Sequence, residues 1–275
     1  MLILGIIVAL AGVIVGLTLP KPKRARARRR KLATSLVILG VAIGSGQQVQ
    51  QKVFGPGESQ SSSVVQQNTN GKPTQSQNTT AQPVAKLAQL SYNGDQEITI
   101  NNNDPAFTAE ELSTKAGAWT SFSALDSLKR VGPAEAMLNQ SIMPTQKREP
   151  LSVDPTGWHN QEINGTWIYN RSHLIGFQLS GENNNPKNLM TGTRELNSPL
   201  MQAHEDDIAH YLKASRSRYV RYEVTPVFRD NELLARGVAM RAQSVGDNTI
   251  RFNVYIFNVQ PGVVLNYQNG QAHAQ

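Results

Sequence analysis

The chain has 275 residues and no cysteine, and its 27 basic against 20 acidic residues give a net charge of +7 and a pI near 9.7. The lack of cysteine excludes disulfides, thiolate nucleophiles and cysteine-ligated zinc, and is compatible with either side of a membrane. The basic excess does not define a general nucleic-acid-binding face: eight positive charges stand between Lys21 and Lys31, and without them the 27 basic residues fall to 19 against 20 acidic ones.

In chain order, Leu2–Leu19 is uncharged for 18 residues, about 27 Å as a helix and close to the hydrocarbon thickness of a bilayer. The basic run follows, and a second apolar stretch, Leu32–Gly44, comes after it. One reading is a transmembrane hairpin whose basic loop stays inside. A second is a signal peptide or signal-anchor, with Lys21–Lys31 as n-region and Leu32–Gly44 as h-region. A third is a buried apolar hairpin in a soluble protein, which the clustered charges disfavour. Both membrane readings make residues 1–45 a membrane partner and leave the remainder outside the cytoplasm, tethered or secreted. Residues 46–85, rich in Gln, Ser, Asn and Thr, hold too few large apolar side chains for a core and are expected to be a disordered linker.

Residues 86–275 are long enough for one compact domain. Glu97–Asn101 alternates as a strand and runs into an Asn-Asp-Pro turn. Phe122–Leu138 carries apolar residues at mixed helical spacing, broken by Gly132-Pro133. Trp167–Tyr169 is expected as a short strand leading into Asn170-Arg171-Ser172-His173, and Leu189–Thr193 as a second strand. Pro199–Ala214 reads as a helix with Leu200, Ala203, Ile208, Tyr211 and Leu212 inward. Tyr219–Phe228, Leu233–Gln243 and Ile250–Val259 read as three antiparallel strands. The predicted class is α+β: a strand–loop–strand–helix unit carrying the polar residues, beside a supporting meander.

The polar residues of that unit suit metal-assisted phosphodiester hydrolysis. A neutral His173 can take a proton from water, an uncharged amide can hold a metal on the phosphate, and Arg171 can balance developing charge. A lone histidine after a strand is more often a hydrogen-bonded structural residue; the company of Asn188, Asn197 and Glu205 alters that balance. Magnesium retains several waters and needs few protein ligands, so one amide with a nearby carboxylate suffices. On a continuous helix Asn197 and Glu205 would face the same side, although Asn197 before Ser198-Pro199 equally fits a helix N-cap. Glu205 equally fits an exposed acid beside Asp206 and Asp207. Other chemistries fail on spacing, because His204-Glu205 lacks the second histidine of a zincin helix and Ser172 lies in no GxSxG elbow.

The segments GWHN (157–160), WIYNRSHLIGFQLSGENNNPKNLMTGTRELN (167–197), MQAHEDDIAHYL (201–212), VRYEVTPVF (220–228) and FNVYIFNVQPG (252–262) together resemble the DNA/RNA non-specific endonuclease family. Within that family they most resemble the DNA-entry nuclease branch found in Gram-positive bacteria. The resemblance implies a ββα-metal (His-Me) finger, DNA and RNA as substrates with 5′-phosphate products, and Mg²⁺ as cofactor, with Mn²⁺ as a possible substitute. It matches His173 to the family's general base and Asn197 to its single protein ligand for the metal. Asn188 matches an amide that orients the site and phosphate, Glu205 an acid that orients metal-bound water, and Arg171 the motif arginine. Arg148 matches an upstream phosphate-contacting arginine, and Lys187 joins Arg148 and Asn188 as a substrate-binding candidate. The chain departs from the family's Asp-Arg-Gly-His pattern at Asn170 and Ser172, and an amide at 170 cannot add negative charge to favour a protonated His173.

The expectation is therefore an Mg²⁺-dependent, sequence-non-specific endonuclease acting outside the cytoplasm. The rival is a surface DNA receptor with impaired catalysis, motivated by Asn170 and the near-neutral domain. A wall or adhesion module would leave the polar cluster unused.

Overall fold

The computed structural model describes residues 81–275. The predicted hairpin of residues 1–45 and most of the linker lie outside them. Among the described residues no helix is long and apolar enough to cross a membrane. The first element, α1 (Ala81–Ala88), straddles the expected linker boundary. Its Leu87 and Ala88 pack on Val227, Tyr255 and Phe257, and Arg229 Nε donates to the Ala88 carbonyl at 2.8 Å.

Twelve strands follow: β1 (Glu97–Thr99), β2 (Trp119–Phe122), β3 (Ala134–Asn139), β4 (Glu162–Ile163), β5 (Thr166–Trp167), β6 (Tyr169–His173), β7 (Leu189–Thr193), β8 (Tyr219–Val227), β9 (Gly237–Ser244), β10 (Arg251–Phe257), β11 (Val263–Leu265) and β12 (Ala272–Ala274). Two helices complete the fold, α2 (Phe177–Ser180) between β6 and β7, and α3 (Gln202–Lys213) before β8. An antiparallel six-stranded sheet runs β1-β10-β9-β8-β3-β2, while β4-β5, β6-β7 and β11-β12 are separate two-stranded ribbons. The three-strand meander is thus present as β8–β9–β10.

Strand alternation divides the sheet into two unlike faces. Val220, Tyr222 and Val224 of β8, Val238, Met240 and Ala242 of β9, and Phe252, Val254 and Ile256 of β10 share one core with Ile208, Tyr211 and Leu212 of α3. The opposite face carries charge. Arg221 pairs with Glu135, and Arg241 binds Glu223 at 2.6 Å and Glu111 at 3.4 Å. Phe107 lies against both guanidinium groups and Trp119 against that of Arg221. Glu135 and Glu223 stand directly opposite in register, and the two arginines offset a repulsion that bare carboxylates would feel.

Two expectations change here. Phe122–Leu138 forms no helix: β2 and β3 take its ends, and Ala134–Asn139 is nearly all buried because β3 lies between β2 and β8. Ala134, Ala136 and Leu138 face the core while Glu135 faces the charged side, an alternation too short to stand out from the mixed apolar spacing before it. The helix predicted from Pro199 begins regularly only at Gln202. It is preceded by a wide-turn segment, Leu196–Met201, interrupted by extended Ser198 (φ −149, ψ 117), and Ala203 is exposed.

The β6–β7 ribbon is fastened to the main sheet by Asn258, which is fully buried. Its Oδ1 accepts from Thr193 N–H at 2.7 Å, and its Nδ2 donates to the carbonyls of Thr191 (3.2 Å) and Ala235 (3.0 Å). Asn258→Ala would leave these buried main-chain groups unpaired, at about 1–3 kcal/mol for each one that water cannot reach. The expected loss is about 3 kcal/mol in urea unfolding with an unchanged m-value; a change below about 0.5 kcal/mol would mean that the ribbon is held by other contacts.

Candidate active site

His173 ends β6, opposite Leu189 on β7. The Asn-Arg-Ser-His segment is therefore part of the strand rather than the turn after it. The residue is 7 % exposed, and its ring Nε2 lies 2.7 Å from the main-chain oxygen of Asn183. A carbonyl only accepts, so Nε2 carries the proton and Nδ1 keeps the lone pair. Burial, helped by the positive charge of Arg148, holds the imidazole below its ordinary pKa, against the opposing effect of the Asn183 and Glu182 carbonyl groups. The ring is thus neutral at physiological pH, with one basic nitrogen in a fixed tautomer.

Asn188 is fully buried. Its Oδ1 accepts from Ile175 N–H at 2.9 Å and its Nδ2 donates to the Ile175 carbonyl at 3.0 Å, while Leu174 N–H donates to the Asn188 carbonyl at 2.9 Å. The amide therefore closes the chain just after His173 like an extra rung of the ribbon. This makes Asn188 a positioning residue whose polar atoms are committed to the backbone.

The turn that follows brings Gly176 against α3. Its N–H donates to Glu205 Oε1 at 2.8 Å. A Cβ built on Gly176 would fall 2.3 Å from Glu205 Oε2 and 2.7 Å from Oε1, so only glycine allows the carboxyl this seat. Burial drives the Glu205 carboxyl up to about 8, with a further rise from Asp206; the Gly176 N–H, Gln178 and Arg148 oppose it. Glu205 is therefore no ordinary surface acid.

Asn197 lies in the wide-turn segment, partly exposed. It caps no helix: the first regular residue, Gln202, bonds to main-chain oxygens of Asn197 and Pro199, while the Asn197 side chain engages none of the described residues. The extended Ser198 also breaks the continuous helical spacing by which Asn197 and Glu205 were expected to align.

The cations fall into two groups. Arg148 is exposed and close enough to influence the charge of both His173 and Glu205. Lys187 is exposed two residues after Asn185, whose Oδ1 accepts its N–H at 3.0 Å. Arg171, by contrast, is held by its neighbours. Its Nε donates to the Val153 carbonyl at 2.7 Å, its Nη2 meets Asp154 Oδ1 at 2.5 Å, and its guanidinium lies 4.4 Å from the Trp158 ring centre. These contacts pin the 153–158 loop beside the ribbon.

The two departures from the family motif share the other side of β6. Ser172 is fully buried, and a Cβ on Gly192 would lie 2.2 Å from its Oγ. Ser172 thus fits because its partner strand has glycine there. Alternation places Asn170 with Ser172, on the face away from His173, so the missing negative charge at 170 does not bear directly on the ring.

Gly176 and Asn183 escaped the sequence reading. Neither has a distinctive residue type in HLIGF or ENNNP; a small residue directly after the apolar pair was the one available signal for Gly176.

The site thus joins a ribbon ending in a buried histidine to a helix that presents a carboxyl to the turn after it. Residues 112–246 match the DNA/RNA non-specific endonuclease family model. A deoxyribonuclease of Streptococcus dysgalactiae subsp. equisimilis is 33% identical over 107 residues, 38% of this chain; the match spans about a third (32%) of that relative's length. NucA from Streptococcus agalactiae, crystallised with magnesium bound, superposes with a TM-score of 0.61 at 25% identity over 70% of this chain and 96% of its own. The Sda1 nuclease with bound zinc superposes with a TM-score of 0.52 at 26% identity over 57% of this chain and 80% of its own. The mixed fold with its antiparallel sheet is shared with NucA.

Proposed function

We propose that this protein is an Mg²⁺-dependent, sequence-non-specific endonuclease that cleaves DNA and RNA with His173 as general base. The observation that carries the reading is the His173–Asn183 bond. It fixes the tautomer, while burial and Arg148 keep the ring unprotonated, leaving Nδ1 ready to accept a proton from the attacking water.

The donor set suits magnesium. Asn197 offers a hard amide oxygen that no described residue competes for, the carboxyl of Glu205 lies on the first turn of α3, and among the described residues no cluster of three acidic or histidine side chains favours a fully protein-ligated ion. Asn197 would hold the metal, which when bound supplies charge stabilisation at the phosphate and the leaving oxygen. Glu205, seated by Gly176, would orient water bound to such a metal. Arg148 lies where a phosphate would bring negative charge beside His173, and Lys187 extends the positive edge. Asn188 acts by holding the turn after His173, and Arg171 by bracing the ribbon against the 153–158 loop. Contacts to phosphate, sugar and unselected base faces, without readout of base edges, would explain the absence of sequence readout. The apolar and basic N-terminal sequence supports work outside the cytoplasm, membrane-tethered or secreted.

Degradation of plasmid DNA and of RNA by the purified protein tests this directly. Both substrates should disappear in Mg²⁺ and persist in EDTA. A well-folded protein that binds DNA but cleaves nothing in Mg²⁺ or Mn²⁺ would replace the reading with a receptor.

A further inference from the structure

We infer that a cleft beside the catalytic histidine is a subsite for one unpaired nucleobase of the nucleotide next to the scissile phosphate. The inference rests on the nuclease reading and names a substrate preference within it. The cleft has a volume of about 340 Å³, at the lower end of the range for small-molecule sites and suited to a single nucleoside. Its lining includes Met143, Gln146, Lys147, Glu149, Phe177 and Asn183.

Its position ties it to the chemistry. One wall is Asn183, whose carbonyl holds His173 Nε2 and whose Nδ2 donates to the Glu149 carbonyl at 3.2 Å. The facing loop carries Lys147 and Glu149 with Arg148 between them, the cation that influences both His173 and Glu205. A nucleotide whose phosphate reached Arg148 would have its base within reach of this space.

Its chemistry favours a base over a second phosphate. Lys147 and Glu149 offset each other, so an added phosphate would meet a carboxylate as well as an ammonium. The lining is mainly polar, with Phe177 and Met143 adding an aromatic ring and a polarisable thioether against which any base can pack. Gln146 engages none of the described residues through its amide, and an amide both donates and accepts. Such a lining holds a base without selecting which base, as a non-specific enzyme requires. A base paired in a duplex cannot enter, so single strands, frayed ends and flipped nucleotides are the preferred substrates.

The test uses the whole protein in Mg²⁺ and a single-stranded homopolymeric oligonucleotide, intact or with one abasic residue at its centre, and reads the cleavage rate at every bond. Wild type should cut one bond flanking the abasic residue about tenfold more slowly than the same bond in the intact strand. Phe177→Ala should erase that contrast, and Phe177→Tyr, which keeps the ring, should restore it. Should Phe177→Ala not fold, the wild-type contrast and its reduction in Met143→Ala decide the matter. Equal cleavage across the abasic position by wild type, or full contrast in Phe177→Ala, overturns the subsite alone. Absence of cleavage at every bond of both oligonucleotides overturns the nuclease reading and the subsite with it.

Discussion

Replacing His173 with alanine is expected to lower kcat on plasmid DNA by about 10²–10⁴-fold, the range for loss of a general base, while DNA affinity and thermal stability change little. Among the residues of the site it is the only one with a proton-accepting nitrogen held in a single tautomer. The pH profile provides a second and independent readout. Protonation of His173 removes the base, so activity falls as pH drops through its pKa, and burial with Arg148 places that limb below the ordinary histidine value. Arg148→Ala removes the electrostatic part of the shift. The acid limb should move upward toward the ordinary value, and KM should rise as a phosphate contact is lost. Unchanged cleavage by His173→Ala would end the mechanism. An unmoved limb in Arg148→Ala would separate the arginine from the base and leave it a role in binding only.

The parts of this site visible in the sequence are those set by local chemistry. Leu189–Thr193 reads as a strand and forms one with the same bounds, because a short Leu-Met-Thr-Gly-Thr run after a turn-rich Asn and Pro segment is a local signal. The meander is legible for the same reason, with its strand ends shifted by the Arg-Asp-Asn-Glu and Gly-Asp-Asn turns. His173, Asn188, Asn197 and Glu205 stand out by residue type and order. What each of them touches does not. Asn188 looks from its type like a group aimed at substrate, yet the register of β6 against β7 turns its amide onto Ile175. Arg171 looks free beside His173, yet a loop seventeen residues upstream provides Asp154. The partner that fixes the tautomer of His173 is a main-chain oxygen in an asparagine run, and a backbone atom has no sequence signature. Asn258, which ties the ribbon to the sheet across more than sixty residues, is indistinguishable in sequence from any loop asparagine. Such contacts depend on the closed topology, and no window of local periodicity contains them.

The Glu205 seat carries the second large effect. In the metal-free protein its carboxyl is raised to about 8 from an ordinary 4.5, so the folded state keeps a proton that the unfolded chain gives up. Below pH 4.5 both states are protonated and the group contributes no difference; between about 4.5 and 8 the folded state progressively loses stability, and above 8 the penalty is constant. Glu205→Gln removes the titration. In EDTA the variant should match wild type near pH 4.5 and exceed it at pH 9 by about 2 kcal/mol or more, read from urea unfolding. In Mg²⁺ that advantage should shrink, because a nearby divalent charge favours the ionised carboxyl, while activity falls by about 10–100-fold. Gly176→Ala reaches the same seat without altering the acid. Its new Cβ would stand 2.3 Å from Oε2, and since a carboxylate is the far end of a flexible side chain, it yields and gives up the Gly176 N–H bond while the fold survives. Gly176→Ala should therefore lose activity on the scale of Glu205→Gln, and the double variant should lose little more than either alone, because both remove one arrangement. Full activity in Gly176→Ala would show that Glu205 works from more than one position. Strict additivity would show that Gly176 and Glu205 act on separate parts of the reaction.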